Sequence, residues 1–230
     1  MPVRTPLILA IETATRAGSV SVARGDCVLS SFRGAPDASH SADLLNNVRR
    51  ALEAGAVTLS EIDLFAVALG PGSFTGLRIG IATVKSFAVS LGRICVGVPT
   101  LAAVAHAAGP ADRIVALLPA GRGEVFAQLF SVDSERRVEP LDEPAHLSPE
   151  RMLERYRSIP RVKWAGEAAS LHEAKLRKDG WILMPPNPDL AVSVAALALR
   201  EYVRGNAVGP DQLRAIYVRP SDAEIKAKKV

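Results

Sequence analysis

Apolar residues along this chain follow two rhythms, and the change from one to the other marks out its elements. Leu7-Ile8-Leu9-Ala10-Ile11 is a short unbroken apolar run, as expected of a strand covered on both faces. Ser19–Ala23 and Cys27–Arg33 read as two further strands, joined as a hairpin by the tight turn Arg24-Gly25-Asp26. From His40 to Ala54 the period becomes helical: Leu44, Leu45, Val48, Ala51 and Leu52 recur three or four apart, and Gly55 closes the helix. Ser60 caps a short segment leading to an apolar strand, Leu64–Leu69. Gly70-Pro71-Gly72 then breaks the chain, and Ser73 or Thr75 can cap the helix that runs to Leu91. Ile94–Val98 is another strand, ended by Pro99, and Thr100 caps a helix reaching Ala108.

Residues 1–107 thus read β-β-β-α-β-α-β-α, a mixed sheet with helices packed on it. Beyond Gly109-Pro110 the pattern restarts. Strands are predicted over Arg113–Leu118 and Glu124–Phe130, followed by a polar stretch around Ser131–Pro144. Helix Pro149–Tyr156, strand Val162–Ala165 and helix Ala191–Arg204 complete the pattern, with Asn187-Pro188-Asp189 opening the last helix. Residues 1–107 and 108–230 are therefore expected to form two α/β lobes.

Composition narrows the function classes. At 230 residues, with 48% hydrophobic and 23% charged positions, the chain has ample core material for one large or two small domains. No charge-free apolar run approaches about 20 residues; Arg78 and Lys85 interrupt the best candidate, so no membrane span is expected. The N-terminus lacks the order of a signal peptide, and Cys27 and Cys95 are too few for a disulfide framework, so a cytoplasmic setting is expected. The net charge of +4 is only mildly basic. Basic residues are spread along the chain, and Lys226-Ala227-Lys228-Lys229 alone forms a cluster.

Catalytic motifs fail on spacing. There is no Gly-x-x-x-x-Gly-Lys-Ser/Thr loop, and Gly72-Ser73-Phe74-Thr75-Gly76 has the wrong spacing for a nucleophile elbow. His40, His106, His146 and His172 stand apart with no second ligand at helical spacing, so no metal site is expected.

Four segments together carry a resemblance: Ile8-Leu9-Ala10-Ile11-Glu12-Thr13-Ala14-Thr15, then Gly70-Pro71-Gly72-Ser73-Phe74-Thr75-Gly76-Leu77-Arg78-Ile79-Gly80, then Val98-Pro99-Thr100-Leu101, and finally Tyr217-Val218-Arg219-Pro220-Ser221-Asp222-Ala223-Glu224. In this order and over this length they resemble the TsaB (YeaZ) family. The resemblance implies an actin-like ATPase (RNase H-like) fold: α/β, mixed sheets with packed helices, and two lobes of which the second is reduced. It implies a non-catalytic role in making threonylcarbamoyladenosine at position 37 of ANN-decoding tRNAs, with tRNA engaged indirectly. The implied partners are a TsaD-type catalytic subunit and a TsaE-type ATPase, which would hold the ATP and Mg²⁺; this chain needs no cofactor of its own and pairs with itself when alone. The catalytic relative carries His-x-x-x-His on the helix equivalent to His40–Ala54; here Leu44 stands four residues after His40. The family's usual Asp-Ala-Arg segment is also altered, with Pro119 and Gly121 at its two charged positions.

Glu12 sits where actin-like ATPases place an acidic residue near the nucleotide's metal. With Thr13, Gly72 and Ser73 it forms the only set that resembles a nucleotide site, and it underlies the alternative reading, an actin-like ATPase or kinase-like enzyme using the Gly70–Thr75 turn. The following Thr13-Ala14-Thr15-Arg16-Ala17-Gly18 lacks paired glycines to cradle phosphate, so Glu12, Thr13 and Thr15 are read as satisfying neighbouring backbone.

Two arcs can be drawn on the helix after Ser73. Leu77, Ile81, Val84, Ala88 and Leu91 line one; Gly76, Gly80, Val84, Phe87 and Ser90 line the other. Interior helical glycines cost about 1 kcal/mol each relative to alanine, so two of them four apart imply close approach of another backbone. That neighbour is either the His40–Ala54 helix or an external partner. The resemblance favours the latter, with His40, Leu44, Leu45, Val48, Leu52, Phe74, Gly76, Leu77, Gly80, Val84 and Phe87 as the interface. On that view Gly80→Arg abolishes association and leaves a folded monomer.

Overall fold

The computed structural model describes residues 5–34, 40–176 and 181–218. Its elements form two compact units, one made of the chain up to Ala103 together with Asn187–Ala215, the other built from Val104–Pro186.

The first unit is a five-stranded sheet in the order β3-β2-β1-β4-β5, made of β1 (Leu7–Glu12), β2 (Ser19–Arg24), β3 (Cys27–Arg33), β4 (Leu64–Gly70) and β5 (Ile94–Pro99). β1, β2 and β3 pair antiparallel, whereas β4 and β5 run parallel to β1. Alternation along β1 divides the core in two. Leu7, Leu9 and Ile11 face α1 (His40–Ala54) and α2 (Phe74–Leu91), meeting Leu44, Val48, Ala51, Ile81, Val84 and Ala88. Ile8 and Ala10 face the opposite way, towards Ala103 of α3 (Thr100–Ala108) and Val194, Ala195, Ala198 and Leu199 of α7 (Leu190–Val203). Both sheet faces are thus sealed by helices, which is why β1 and β4 read as unbroken apolar runs.

α2 starts where Ser73 Oγ accepts from the Gly76 amide at 3.2 Å and stops at Gly92, left-handed at φ 61°. It is long and apolar enough to cross a membrane by length and composition, but its Leu77, Ile81, Val84 and Ala88 are buried in the first unit as core.

The second unit carries β6 (Ala111–Gly121), β7 (Glu124–Val132), β8 (Val138–Pro140), β9 (Ala145–Leu147), β10 (Lys163–Ala165) and β11 (Ile182–Leu183), ordered β11-β10-β6-β7-β8 with β9 also on β7. The polar stretch after β7 folds into the short strands β8 and β9, anchored by Asp142. That side chain takes the Leu129 amide at 2.6 Å and the Tyr156 hydroxyl at 3.0 Å, and meets Arg155 at 2.8 Å. Beneath lie Trp164 and Tyr156 with Met152 of α4 (Pro149–Tyr156) and Ala168 and Ala169 of α5 (Glu167–Leu171); α6 is Glu173–Leu176. The altered family segment ends β6 and leads into the β6–β7 turn, where Gly121, Arg122 and Gly123 all take positive φ. Glycine there serves the left-handed backbone, since a Cβ at Gly121 or Gly123 meets nothing within 4 Å.

Two expectations are corrected. The sequence pattern places the last helix in the second lobe, yet Asn187–Ala215 belongs to the first unit. α7 completes the cover of that sheet, and Ser19 Oγ accepts from the Ala191 amide at 2.9 Å, satisfying one of the helix's free N–H groups. Sequence also takes Thr100 as a cap, whereas it lies inside α3 and its Oγ1 accepts from the Gly70 amide at 3.0 Å. The Lys226–Lys229 cluster, and the part of the last motif from Arg219 onward, lie outside the described residues.

Two outcomes follow from these contacts. Ser19→Ala strands a buried helix N–H and is expected to cost about 1–2 kcal/mol in urea denaturation, with Ser19→Thr closer to wild type. Cys95, buried in β5, has its thiol pushed up to about 11 by burial, with Lys85 opposing weakly. The unfolded chain loses that proton first as pH rises past the ordinary thiol range, so Cys95 subtracts stability between about pH 9 and 11. At neutral pH a disulfide-exchange reagent is expected to titrate exposed Cys27 at once and Cys95 only on unfolding.

Candidate partner-binding surface

The end of β1 and the start of α2 are locked together. Glu12 is fully buried, and its two carboxylate oxygens accept from the Thr15 amide and the Thr15 hydroxyl, each at 2.7 Å. The carboxylate therefore ties down its own loop. Thr13 Oγ1 donates to the Gly76 carbonyl at 2.8 Å, and the Ser73 amide donates to the Ala14 carbonyl at 2.8 Å. The structure thus draws Glu12, Thr13, Gly72 and Ser73, the four residues read as nucleotide-proximal, to one place, and engages them with Thr15, Ala14 and Gly76 of the same loop and helix. Amides at the N-terminus of α2 that could have held a phosphate, those of Ser73 and Gly76, are taken by Ala14 and by the Ser73 hydroxyl.

The same lock explains the glycines. A Cβ at Gly72 would stand 2.6 Å from the Ala14 carbonyl oxygen; one at Gly76 would collide with the Thr13 carbonyl oxygen, and one at Gly80 with Thr13 Oγ1. The approaching backbone is neither α1 nor an external partner. It is the loop after β1. Gly80 is accordingly buried, and Gly80→Arg would damage the fold instead of leaving a folded, non-associating monomer.

The other interface candidates divide by exposure. Leu44, Val48, Leu77 and Val84 are core residues of the first unit, and Leu52 and Phe87 pack against that core. Apart from Ser90, both arcs drawn on α2 from sequence fall in its buried or half-buried part, so the surface lies on the opposite side of the helix. That side carries Phe74, Thr75, Arg78, Ala82, Ser86 and Val89, all exposed. Of the expected interface residues, Phe74 and Leu45 are 38% and 59% exposed; Val89, which the sequence reading does not include, is 68% exposed. The Arg78 guanidinium lies 4.0 Å from the centre of the Phe74 ring, holding the aromatic flat on the helix. His40 opens α1, and its side chain lies outside the described residues.

In the second unit His146 Nε2 sits 2.8 Å from a Glu124 oxygen, beside the Phe126 ring. Among the described residues no three His, Cys, Asp or Glu side chains gather as a metal-binding group.

Gly76→Ala meets main chain and is expected to cost about 2–4 kcal/mol in chemical denaturation, whatever stands at position 13. Gly80→Ala meets a side-chain oxygen, so Thr13→Ala should relieve it. A double-mutant cycle on positions 13 and 80 is expected to show coupling of about 1 kcal/mol or more.

Comparison with known proteins accords with this geometry. The family model of tRNA N6-adenosine threonylcarbamoyltransferase (TsaD) matches residues 35–202. The tRNA threonylcarbamoyladenosine biosynthesis protein TsaB of Escherichia coli is 29% identical over 223 residues, covering 92% of this chain and 94% of that protein. An uncharacterised protein of Mycobacterium tuberculosis is 30% identical over 212 residues, covering 76% and 94%. Among solved structures, YeaZ from Pseudomonas aeruginosa superposes with a TM-score of 0.76 at 28% identity, covering 92% of this chain and 99% of that one. An activator of 2-hydroxyisocaproyl-CoA dehydratase from Clostridium difficile shares the fold alone, with a TM-score of 0.54 at 9% identity. With two mixed sheets flanked by helices and a family match across most of its length, the chain belongs to the TsaB (YeaZ) family and has its actin-like α/β fold.

Proposed function

We propose that this chain is the non-catalytic partner subunit in threonylcarbamoylation of adenosine 37 in ANN-decoding tRNAs. It docks on a TsaD-type catalytic subunit, a TsaE-type ATPase joins the complex, and ATP and Mg²⁺ reside on those partners. The observation that carries this reading is the apolar surface on two neighbouring helices: Leu45 on α1, with Phe74 and Val89 on α2, stands exposed at 38–68%. Large apolar side chains left exposed on adjacent helices favour an interface over bare solvent. The engaged state of Glu12 and of the α2 amides supports the non-catalytic side of the proposal.

Docking activates the partner only by binding its competent state better than its idle one. When the partner is absent, the same face pairs with a second copy, giving a homodimer by self-complementarity. Cytoplasmic location belongs to the same proposal, since tRNA is modified there.

The test combines Leu45→Arg with Val89→Arg, both at exposed positions where the fold tolerates charge. Co-expression with a tagged TsaD-type subunit is expected to capture the wild-type chain and lose the double variant by at least tenfold, with circular dichroism and melting unchanged. Undiminished capture of the folded variant overturns the docking face. Steady turnover of ATP, or of threonylcarbamoyl-adenylate with tRNA, by the purified chain alone overturns the non-catalytic role.

A further inference from the structure

Basic residues that are dispersed in sequence converge on the β3 side of α1. Arg33 ends β3, and Arg49 and Arg50 follow in α1; with Asp43, Asn46 and Asn47 they line a shallow, open cavity of about 640 Å³. Among the described residues that line it, three carry a guanidinium group and one a carboxylate. The framework beneath is firm. Arg33 pairs in register with Ser19, and the next amide, of Gly34, donates to the Gly18 carbonyl at 3.1 Å. A Cβ at Gly34 would collide with the Ala17 carbonyl oxygen, so the end of β3 is pressed against the entry to β2.

The guanidinium groups are held in distinct ways. Arg50 lies 4.6 Å from the centre of the Phe32 ring, which fixes its plane while leaving its N–H edges open to a further acceptor. Arg49 meets Glu53 at 2.9 Å, but both side chains are at least 60% exposed, so this pair contributes little and yields readily to a better anion. Asn46 and Asn47 add amide donors at the cavity wall. Forked donors around an open groove match phosphate oxygens, and their spread over strand and helix suits successive phosphates of a chain better than one enclosed group.

Helical geometry separates this groove from the proposed docking face. At about 100° per residue, Asp43, Asn46, Asn47 and Arg50 fall on one flank of α1 and Leu45 on the other, with Arg49 at the boundary between them. An occupant of the groove therefore leaves Leu45 free to meet a protein partner.

We propose that this groove binds the phosphodiester backbone of RNA, giving the chain a direct contact with tRNA in addition to the one made through its partner. The proposal rests on the reading that the chain serves tRNA modification. Its test uses the full chain, a fluorescently labelled tRNA transcript and anisotropy titrations at 50 and 200 mM salt. Arg33→Ala with Arg50→Ala is expected to weaken binding about tenfold and to lower the log–log salt slope by about 1–2, as loss of two phosphate contacts requires. The Arg33→Lys, Arg50→Lys variant should keep most of that slope, and both variants should capture the TsaD-type subunit as wild type does. Identical tRNA affinity and slope in wild type and alanine variant overturn the proposal. Displacement of tRNA by millimolar adenosine monophosphate or inorganic phosphate also overturns it, by reassigning the groove to a small anion. Failure of partner capture by wild type, with arginine-dependent tRNA binding intact, would sink the docking reading and leave this one standing.

Discussion

The first unit depends on one close contact between backbones, where the loop after β1 lies directly on the opening turns of α2. Thr13 and Ala14 reach the helix only because Gly72, Gly76 and Gly80 offer no side chain there. Once in place, the loop consumes its own polar groups: Glu12 serves Thr15, Thr13 serves Gly76, and Ala14 receives Ser73. Everything outward of that contact follows from it. α2 is set against the sheet with its buried half fixed, and its opposite half, with Phe74, Arg78 and Val89, is left facing outward. The Thr15 amide of that loop is held by Glu12, and the Ser73 and Gly76 amides at the start of α2 are held by Ala14 and the Ser73 hydroxyl.

Most of the first unit was legible from residue order because its signals were local. α1 was predicted as His40–Ala54 and is found there, since its apolar residues repeat at helical spacing and Gly55 follows. β3 likewise matches Cys27–Arg33 to the residue. What stayed hidden depends on pairing between distant segments. A stripe of small residues on α2 announces that something comes near, but the identity of that neighbour is a long-range fact, and Thr13 is 63 residues from Gly76. Leu44, Val48, Leu77 and Val84 look equally suited to a core and to an interface; only burial separates them from Leu45. Val89 lies on the side of α2 opposite both arcs that periodicity favours, so the apolar spacing does not select it.

The second unit was less legible for a different reason. β8 and β9 are three residues each and hold their place through Asp142, a side chain far from helix or strand signals. Arg33, Arg49 and Arg50 show the same limit in electrostatics, because a chain whose cations are evenly scattered can still gather them in space. α1 is two-sided: Leu45 stands exposed on one flank, while Asp43, Asn46, Asn47 and Arg50 line the cavity beside β3.

The return of α7 to the first sheet has a consequence for how this protein emerges from the ribosome. Until residue 203 has been synthesised, the face formed by Ile8, Ala10, Leu64, Ala66 and Val98 lacks the helix that covers much of it. The amino-terminal half of the nascent chain therefore waits, with an open hydrophobic sheet, for a segment encoded more than 80 residues beyond α3. Order of synthesis and order of burial are opposed. Truncated translation products that lack α7 would accordingly be sticky and short-lived.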